Sequence, residues 1–454
     1  MRDLVNSGEG PTLQPIEIGH PNYVGLVDPD TAFWSLVERG SLADTINGSA
    51  LVAAYNKKRK SFLKEMEQLR FGLKPSAVYF NITERCNLNC RYCYIPEKMR
   101  RNGEDMSGEA VIEALRLLKK YFRASMGKRF RPKIIFHGAE PLLNKRTLFA
   151  AIEMFGKDFT FGIQTNTVLL DAEAVSFLRA NKVSIGISLD GATAETVNKT
   201  RRSWSGVGVF DNVIKAMEML KGYDAWSVIG TVTTENVRLL PELVTFLHKK
   251  GVPTALLNVV RCTLPSARKI KPEDNVAAQY FIEALETSFR LYKESGRKIV
   301  IANFANILIS ILAPTARRLM CDISPCGGGR SFFALTPNGD IFPCSEFIGL
   351  EHFKGGNIFK DSVNKILTSD PFKLVTGRKA ENIAPCNRCA IRHFCGSPCP
   401  AEAYEMNGGM ERKGSFCRFY EEQARFAFRS IADNRHEAFL WDGWDKGTKK
   451  VFDI

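Results

Sequence analysis

Tyr79-Phe-Asn-Ile-Thr-Glu-Arg-Cys86-Asn-Leu-Asn-Cys90-Arg-Tyr-Cys93-Tyr-Ile95 decides the fold. A short apolar run ends in turn-forming residues, the pattern of a strand handing over to a loop. Three cysteines follow at the spacing C-x3-C-x2-C. Three thiolates on one loop can hold three irons of a 4Fe–4S cluster, which ordinarily takes four cysteines, so one iron is left open to a small molecule. Zinc is the alternative, but a structural zinc site wants four ligands in paired knuckles, and no histidine stands near this loop. A disulfide framework leaves one of the three thiols over.

Working outward, strand-like runs alternate with amphipathic helical stretches from Ala77 to about Ser295, which predicts parallel βα units. The expected strands are Val78–Thr83, Lys133–His137, Thr160–Thr165, Val183–Leu189, Ser227–Thr233 and Ala255–Val260. Helices are expected to begin near Ser107, Lys145, Asp171, Phe210, Val237 and Pro272, with Ser107 and Asp171 as N-caps.

The Cys86-x3-Cys90-x-Tyr92-Cys93 loop, with its aromatic residue before the third cysteine, resembles the signature of the radical S-adenosylmethionine superfamily. The resemblance implies that the open iron chelates the amino and carboxylate groups of S-adenosylmethionine. Reductive cleavage of that cofactor then gives a 5′-deoxyadenosyl radical, the cofactor supplying the hard chemistry and the protein the aim. It implies an α/β fold, a partial (β/α)6 TIM-type barrel, with the chemistry at the C-terminal strand ends. The segments past those ends fit. Gly138-Ala139-Glu140-Pro141 is similar to the family's GGEP segment, which hydrogen-bonds the methionyl ammonium; Ala139 in place of glycine is tolerated where φ is negative. Gln164-Thr-Asn166 resembles a motif near the nucleoside. Ser188 and Arg201 are placed as in relatives where a serine and an arginine hold the ribose or the carboxylate, with Arg202 an adjacent contender.

A second array lies between Cys321 and Cys417: Cys326, then Gly339-Asp-Ile-Phe-Pro-Cys344, then Cys386-x2-Cys389-x5-Cys395-x3-Cys399, with Cys417 closing the set. With 12 cysteines in 454 residues, three more at set offsets from Cys386 arise by chance roughly twice in 10⁵ trials. A pair of zinc knuckles is the alternative. The array resembles the cysteine-rich SPASM extension of peptide- and protein-modifying radical enzymes, among them the anaerobic sulfatase-maturing enzymes. By that resemblance Cys321, Cys326, Cys344 and Cys399 hold an inner auxiliary 4Fe–4S cluster, and Cys386, Cys389, Cys395 and Cys417 an outer one, making three clusters in all. In the sulfatase-maturing relatives an aspartate follows the cysteine equivalent to Cys344 and serves as base. Here the run is Cys344-Ser345-Glu346, so Glu346 is the substitute to weigh against a merely solvated carboxylate. Cys262 is left over, expected where a strand end faces the barrel mouth: either a buried structural thiol or a catalytic one.

Composition sets the remaining bounds. The chain carries a formal charge of +14, or roughly +9 once three clusters are counted. Lys57-Lys58-Arg59-Lys60, Lys119-Lys120 and Lys128-Arg129-Phe-Arg131 suit either a solvated basic face or attraction of an acidic peptide. Nucleic acid is disfavoured, there being no basic–aromatic stripe. Met1 to Pro11 has no secretory pattern, Ile299–Ala313 is too short for a membrane span and reads as a buried helix, and many cysteines without a signal place the chain in a reducing cytoplasm. The expected organisation is a preface over 1–75 (with a strand at Tyr23–Val27 and a helix from Ala50), serving as a substrate-docking element or a cap. A barrel over 76–300, a linking helix over 301–320, a cysteine-rich domain over 321–425 and a C-terminal helix end with a tail over 426–454 follow. The function this implies is radical modification of a ribosomally made precursor peptide or small protein, fed by flavodoxin or ferredoxin. Maturation of a partner enzyme and a non-catalytic electron carrier are the alternatives.

Overall fold

The computed structural model describes residues 13–395 and 399–446; the readings made on Met1 to Pro11 and on Gly447 fall outside them. An antiparallel sheet of β1 (Gln14–Ile16), β2 (Tyr23–Val27) and β3 (Trp34–Glu38) leads to a long helix, Ala50–Phe71. Six parallel strands then follow in sequence order: β4 (Ala77–Phe80), β5 (Lys133–Phe136), β6 (Thr160–Thr165), β7 (Ser184–Ser188), β8 (Trp226–Val232) and β9 (Thr254–Val259). Each lies within a few residues of its expected span. The helices between them start as their caps dictate: Ser107 accepts the Ala110 N–H, and Asp171 accepts that of Ala174 at 2.8 Å. In helix Gly108–Met126 the buried positions Val111, Ala114, Leu115, Leu118 and Phe122 form one apolar stripe against the sheet.

The sheet extends further than the repeat predicts. A two-residue strand, β10 (Val300–Ile301), pairs parallel with β9, and the cysteine-rich region supplies β11 (Phe332–Leu335), β12 (Asp340–Phe342) and β13 (Gly356–Asn357) on the other side of β4. β11 pairs parallel with β4 from Phe332 opposite Ala77 to Leu335 opposite Phe80. The result is one open ten-stranded sheet with β10 and β13 at its edges. The run from Ile299 does form a buried helix, Ala302–Leu312. Helix Cys417–Ala432 runs across the boundary expected at 425, and its N–H groups at Arg418 and Phe419 donate to Asp274 at 2.8 Å. That carboxylate from a barrel helix caps the C-terminal helix. The N-terminal unit is likewise stitched down: Trp34 Nε1 donates to the Ile311 carbonyl at 2.7 Å, Arg330 to that of Leu69 at 2.9 Å, and Arg392 pairs with Asp30.

Register separates two faces of the barrel strands. Val78, Phe80, Ile134, Phe136, Ile163, Ile185, Ile187, Val228 and Leu257 are buried under the helices. The opposite face carries Gly162 and Gln164 beside Ser184 and Gly186, Ser188 beside Ile229, and Thr231 beside Asn258. Small and polar side chains cannot fill a barrel interior as branched aliphatics do. This interior is a lined site, and its mouth is where β4–β9 end.

Candidate active site

The loop Cys86–Cys93 leaves β4 and is held from two sides. The buried Arg100 donates to the carbonyl of Ile95 at 2.9 Å, that of Leu88 at 3.2 Å and Asn89 Oδ1 at 3.0 Å. From the β7 side, Asn89 N–H donates to the Arg202 carbonyl at 2.7 Å, Arg91 N–H to that of Thr200 at 3.0 Å, and Trp204 Nε1 to that of Cys86 at 2.8 Å. The Arg101 guanidinium lies 3.9 Å over the Trp204 ring. Burial pushes the Cys86 thiol up to about 12 and the Cys93 thiol to about 11. Free thiols here hold their protons at neutral pH, so the thiolates need the positive charge of a bound metal. The Leu88 N–H, 3.4 Å from Cys86 Sγ, adds a donor to that sulfur.

The segment after β5 joins the same network. Gly138 has φ +98°, and a Cβ there would stand 2.4 Å from Asn81 Cγ and Nδ2, so only glycine fits. Ala139 is not among the residues with positive φ, as its side chain requires. Glu140 donates its N–H to the Arg85 carbonyl at 3.1 Å. Its carboxylate accepts from Leu142 N–H at 3.1 Å, Thr165 Oγ1 at 2.8 Å and Asn166 N–H at 2.8 Å. Burial still wins over these bonds and pushes the carboxyl up to about 7. Pro141 opens the following 3₁₀ turn, and Asn166 Nδ2 donates to Asn87 Oδ1 at 2.7 Å, closing the circuit onto the cysteine loop. Glu140 and Asn166 thus brace the strand ends against one another.

Tyr92 hydroxyl donates to Asp190 Oδ2 at 2.6 Å and accepts from Arg201, whose Nη1 is 3.9 Å from the same carboxylate oxygen. Asp190 Oδ1 accepts the Thr231 N–H at 2.9 Å. Arg201 enters this buried cluster, whereas Arg202 is exposed and bonds the Asn198 carbonyl. Gln164 and Ser188 lie half-buried on the inner face. Around them Asn81 Oδ1, Thr167 Oγ1 and Arg201 Nε are all buried without a hydrogen-bond partner. A finished core does not tolerate such a concentration of orphans. Amino, carboxylate and hydroxyl groups of an amino-acid-and-nucleoside cofactor are the partners these atoms lack, so the residues present fit S-adenosylmethionine.

The later cysteines fall into two groups. Ionisation of Cys344 is opposed by burial first and then by Glu346, Cys321, Cys399 and Cys326, and that of Cys389 by burial first and then by Cys386 and Cys417. Cys395 opposes the ionisation of Tyr420, three residues past Cys417. Among the described residues no three His, Cys, Asp or Glu side chains converge as a single ion requires.

Two expectations are corrected. Glu346 is no solvated surface carboxylate: it is half-buried, its Oε2 lacks a partner, Arg261 Nε stands 4.0 Å from Oε1, and burial pushes it up to about 7. Cys262 does not face the mouth: it is 0 % exposed within the core, its thiol pushed up to about 12 by burial and directed at the Val260 carbonyl. Sequence reasoning also passed over Asn81, Arg100, Asp190, Arg261 and Glu402. Asn81 lies inside the quoted Tyr79–Ile95 stretch and Asp190 two residues past Ser188, but none of the five stands out in sequence from the run around it.

Comparisons with known proteins agree with this geometry. A model of the radical SAM superfamily matches residues 80–247, and one of the SPASM iron–sulfur cluster-binding domain matches residues 326–390. An uncharacterized protein of Archaeoglobus fulgidus is 40% identical, over 92% of this chain and 94% of its own. A cysteine-type anaerobic sulfatase-maturating enzyme of Clostridium perfringens is 22% identical, over 80% of this chain and 97% of its own. Among solved structures, anSMEcpe with bound AdoMet superposes with a TM-score of 0.70 at 19% identity, over 83% of this chain and 98% of that one. The same protein is solved with AdoMet and a Cp18Cys peptide. At such identity the superposition speaks for the fold.

Proposed function

We propose, because this chain belongs to the radical S-adenosylmethionine superfamily and carries a SPASM iron–sulfur domain, that it is the enzyme modifying a ribosomally made precursor peptide or small protein. One observation carries the reading: a second set of orphaned and charged side chains, Tyr94, His137, Arg261, Glu346 and Glu402, lies between the first cysteine loop and the Cys344/Cys399 group. The cofactor does not need these groups; a substrate side chain does.

In this reading Cys86, Cys90 and Cys93 hold the cluster that binds S-adenosylmethionine. Cys321, Cys326, Cys344 and Cys399 hold the inner auxiliary cluster, and Cys386, Cys389, Cys395 and Cys417 the outer. When bound, these groups supply a 5′-deoxyadenosyl radical that takes hydrogen from the substrate, and a sink for the electron left behind. The chain's own residues do the rest. Gly138 lets the backbone approach, the Glu140 network fixes the strand ends, and Arg201 offers its free Nε to a carboxylate or ribose oxygen. Glu346, a carboxylate beside the inner group with a buried oxygen free, offers an acceptor to a donor on the substrate. The stitched N-terminal unit supports a cap for the barrel that also presents a surface to the precursor. A low-potential flavodoxin or ferredoxin of the cytoplasm fits the exposed lysines as donor.

The test is anaerobic. Reconstituted protein given S-adenosylmethionine and dithionite should form 5′-deoxyadenosine, and a peptide encoded beside it should change mass on co-expression. No 5′-deoxyadenosine would refute the proposal. Maturation of a partner sulfatase is the second reading. Its support is the Clostridium perfringens relative, and Ser345 standing where that chemistry expects an aspartate counts against it.

A further inference from the structure

Glu402 stands three residues past Cys399 in helix Pro400–Asn407. It is 2 % exposed, yet its Oε1 has no hydrogen-bond partner. The helix packs on the turn Ser345–Phe347, which carries Glu346 and its own unpartnered, buried Oε2. The two carboxylates oppose each other's charge, and Arg261 lies within electrostatic reach of both. Of the other basic side chains in this neighbourhood, Lys271 donates to the Pro272 carbonyl and Arg268 turns away to the carbonyls of Cys262 and Glu405. Two carboxylates therefore share one guanidinium, and each keeps a buried oxygen without a donor. Such oxygens are costly unless a further donor arrives.

From this juxtaposition we propose that Glu346 and Glu402 together bind a cationic nitrogen of the substrate, so that the residue attacked, or its neighbour, is a lysine or an arginine. A single ammonium or guanidinium brings several N–H donors and one positive charge, which completes both carboxylates and balances the set at once. The facing wall supports the assignment. Glu346 is the foremost charged influence on the Tyr94 phenol, and the His137 ring lies near parallel to that of Tyr94 at 6.4 Å. An aromatic face beside a paired carboxylate is a favourable bed for a cation. The excess of basic residues over the whole chain does not oppose this, because its clusters lie elsewhere: Lys119, Arg123, Lys128, Arg131 and Lys157 line a hollow of about 230 Å³ at the far end of the barrel, where β5 and β6 begin. A substrate acidic over its length with one basic residue at the reacting position satisfies both fields.

The inference rests on the peptide-modifying reading, and its test separates the two. Holoenzyme with oxidised clusters and S-adenosylmethionine, so that nothing turns over, is titrated anaerobically by calorimetry with N-acetyl-lysine methylamide and with its uncharged counterpart N-acetyl-norleucine methylamide. The lysine compound should bind at least about tenfold more tightly. Glu402→Gln, with iron content unchanged, should bring the two within about twofold. Equal binding, tighter binding of the norleucine or of N-acetyl-glutamate methylamide, or no binding of any of them at tens of millimolar overturns the inference. Should the variant lose iron, the wild-type comparison decides alone. If the wild type forms 5′-deoxyadenosine but shows no preference for the cation, only this inference falls. If it forms none, the functional reading falls, whatever the amines do.

Discussion

Gly138→Ala is the sharpest perturbation the site offers. At φ +98° an alanine sits in a region L-residues avoid, a strain on the order of 1–3 kcal/mol. Its methyl would also stand 2.4 Å from Asn81, which is 2 % exposed and so has no solvent to swing into. Forcing that overlap apart adds on the order of 1–3 kcal/mol. Expressed as displacement of the loop that meets the cofactor, the smallest sum, about 2 kcal/mol, weakens S-adenosylmethionine roughly 30-fold, each 1.4 kcal/mol being a decade. The two contributions can be separated. Asn81→Ala removes the obstacle and leaves the backbone strain, so the double variant should regain roughly fivefold or more relative to additivity, a coupling of about 1 kcal/mol. Anaerobic calorimetry of reconstituted protein, with iron measured in parallel, gives all four affinities. Binding by Gly138→Ala within about threefold of wild type, or a strictly additive cycle, would show that the close approach to Asn81 does not shape the site.

Two further outcomes follow from burial. The Glu140 carboxyl is held up to about 7 against an ordinary 4.5, so between those values the native state keeps a proton the unfolded chain has lost, and its contribution to stability falls as pH rises through that window and levels off above it. A cation bound nearby favours the carboxylate, so S-adenosylmethionine should bind more tightly as pH rises toward 7 and release roughly half a proton or more at pH 6.5. Calorimetry in buffers of differing ionisation enthalpy reads that proton, and its persistence in Glu140→Gln would place it on another group. Cys262→Ala should cost about 1–2 kcal/mol as a small core truncation and leave iron content and turnover as they are; lost turnover with full iron would restore a catalytic thiol.

What the sequence made legible follows a physical rule. Elements set by local periodicity and caps were readable: Thr160–Thr165 is strand β6 as expected, and Ser107 and Asp171 cap the helices they precede. The cysteine sets were readable because ligation constrains spacing along the chain. Pairing between distant segments was not. Nothing in Phe332–Leu335 announces that it will lie parallel to Ala77–Phe80, since an all-buried strand shows neither alternation nor a preferred partner. Burial of single polar groups was equally hidden. Glu346 on a turn reads as solvated, and is half-buried where that turn packs against helix Pro400–Asn407 and β11. Cys262 left two readings open, and its burial in the core is that of the structural thiol.

That unforeseen pairing explains how cysteine groups far apart in sequence can serve one reaction. The first loop springs from the end of β4, and Cys344 follows β12, which is joined through β11 to β4 by continuous ladder bonds. Tyr79 on β4 touches both sides: its ring meets His137 at 5.1 Å and Phe332 at 5.4 Å, and Cys321 and Cys344 both oppose its ionisation. A cysteine-rich module tethered by a linker would sample many separations from the barrel, and an electron left on a substrate radical would meet its acceptor only intermittently. Hydrogen bonded into the barrel's own sheet, and clamped again where Asp274 caps the C-terminal helix, the module holds Glu346, Glu402 and the Cys344 group at one fixed place opposite Tyr94. Under the function proposed above, a substrate side chain held there would lie between the first cysteine loop and the Cys344 group, the arrangement a two-step oxidation needs.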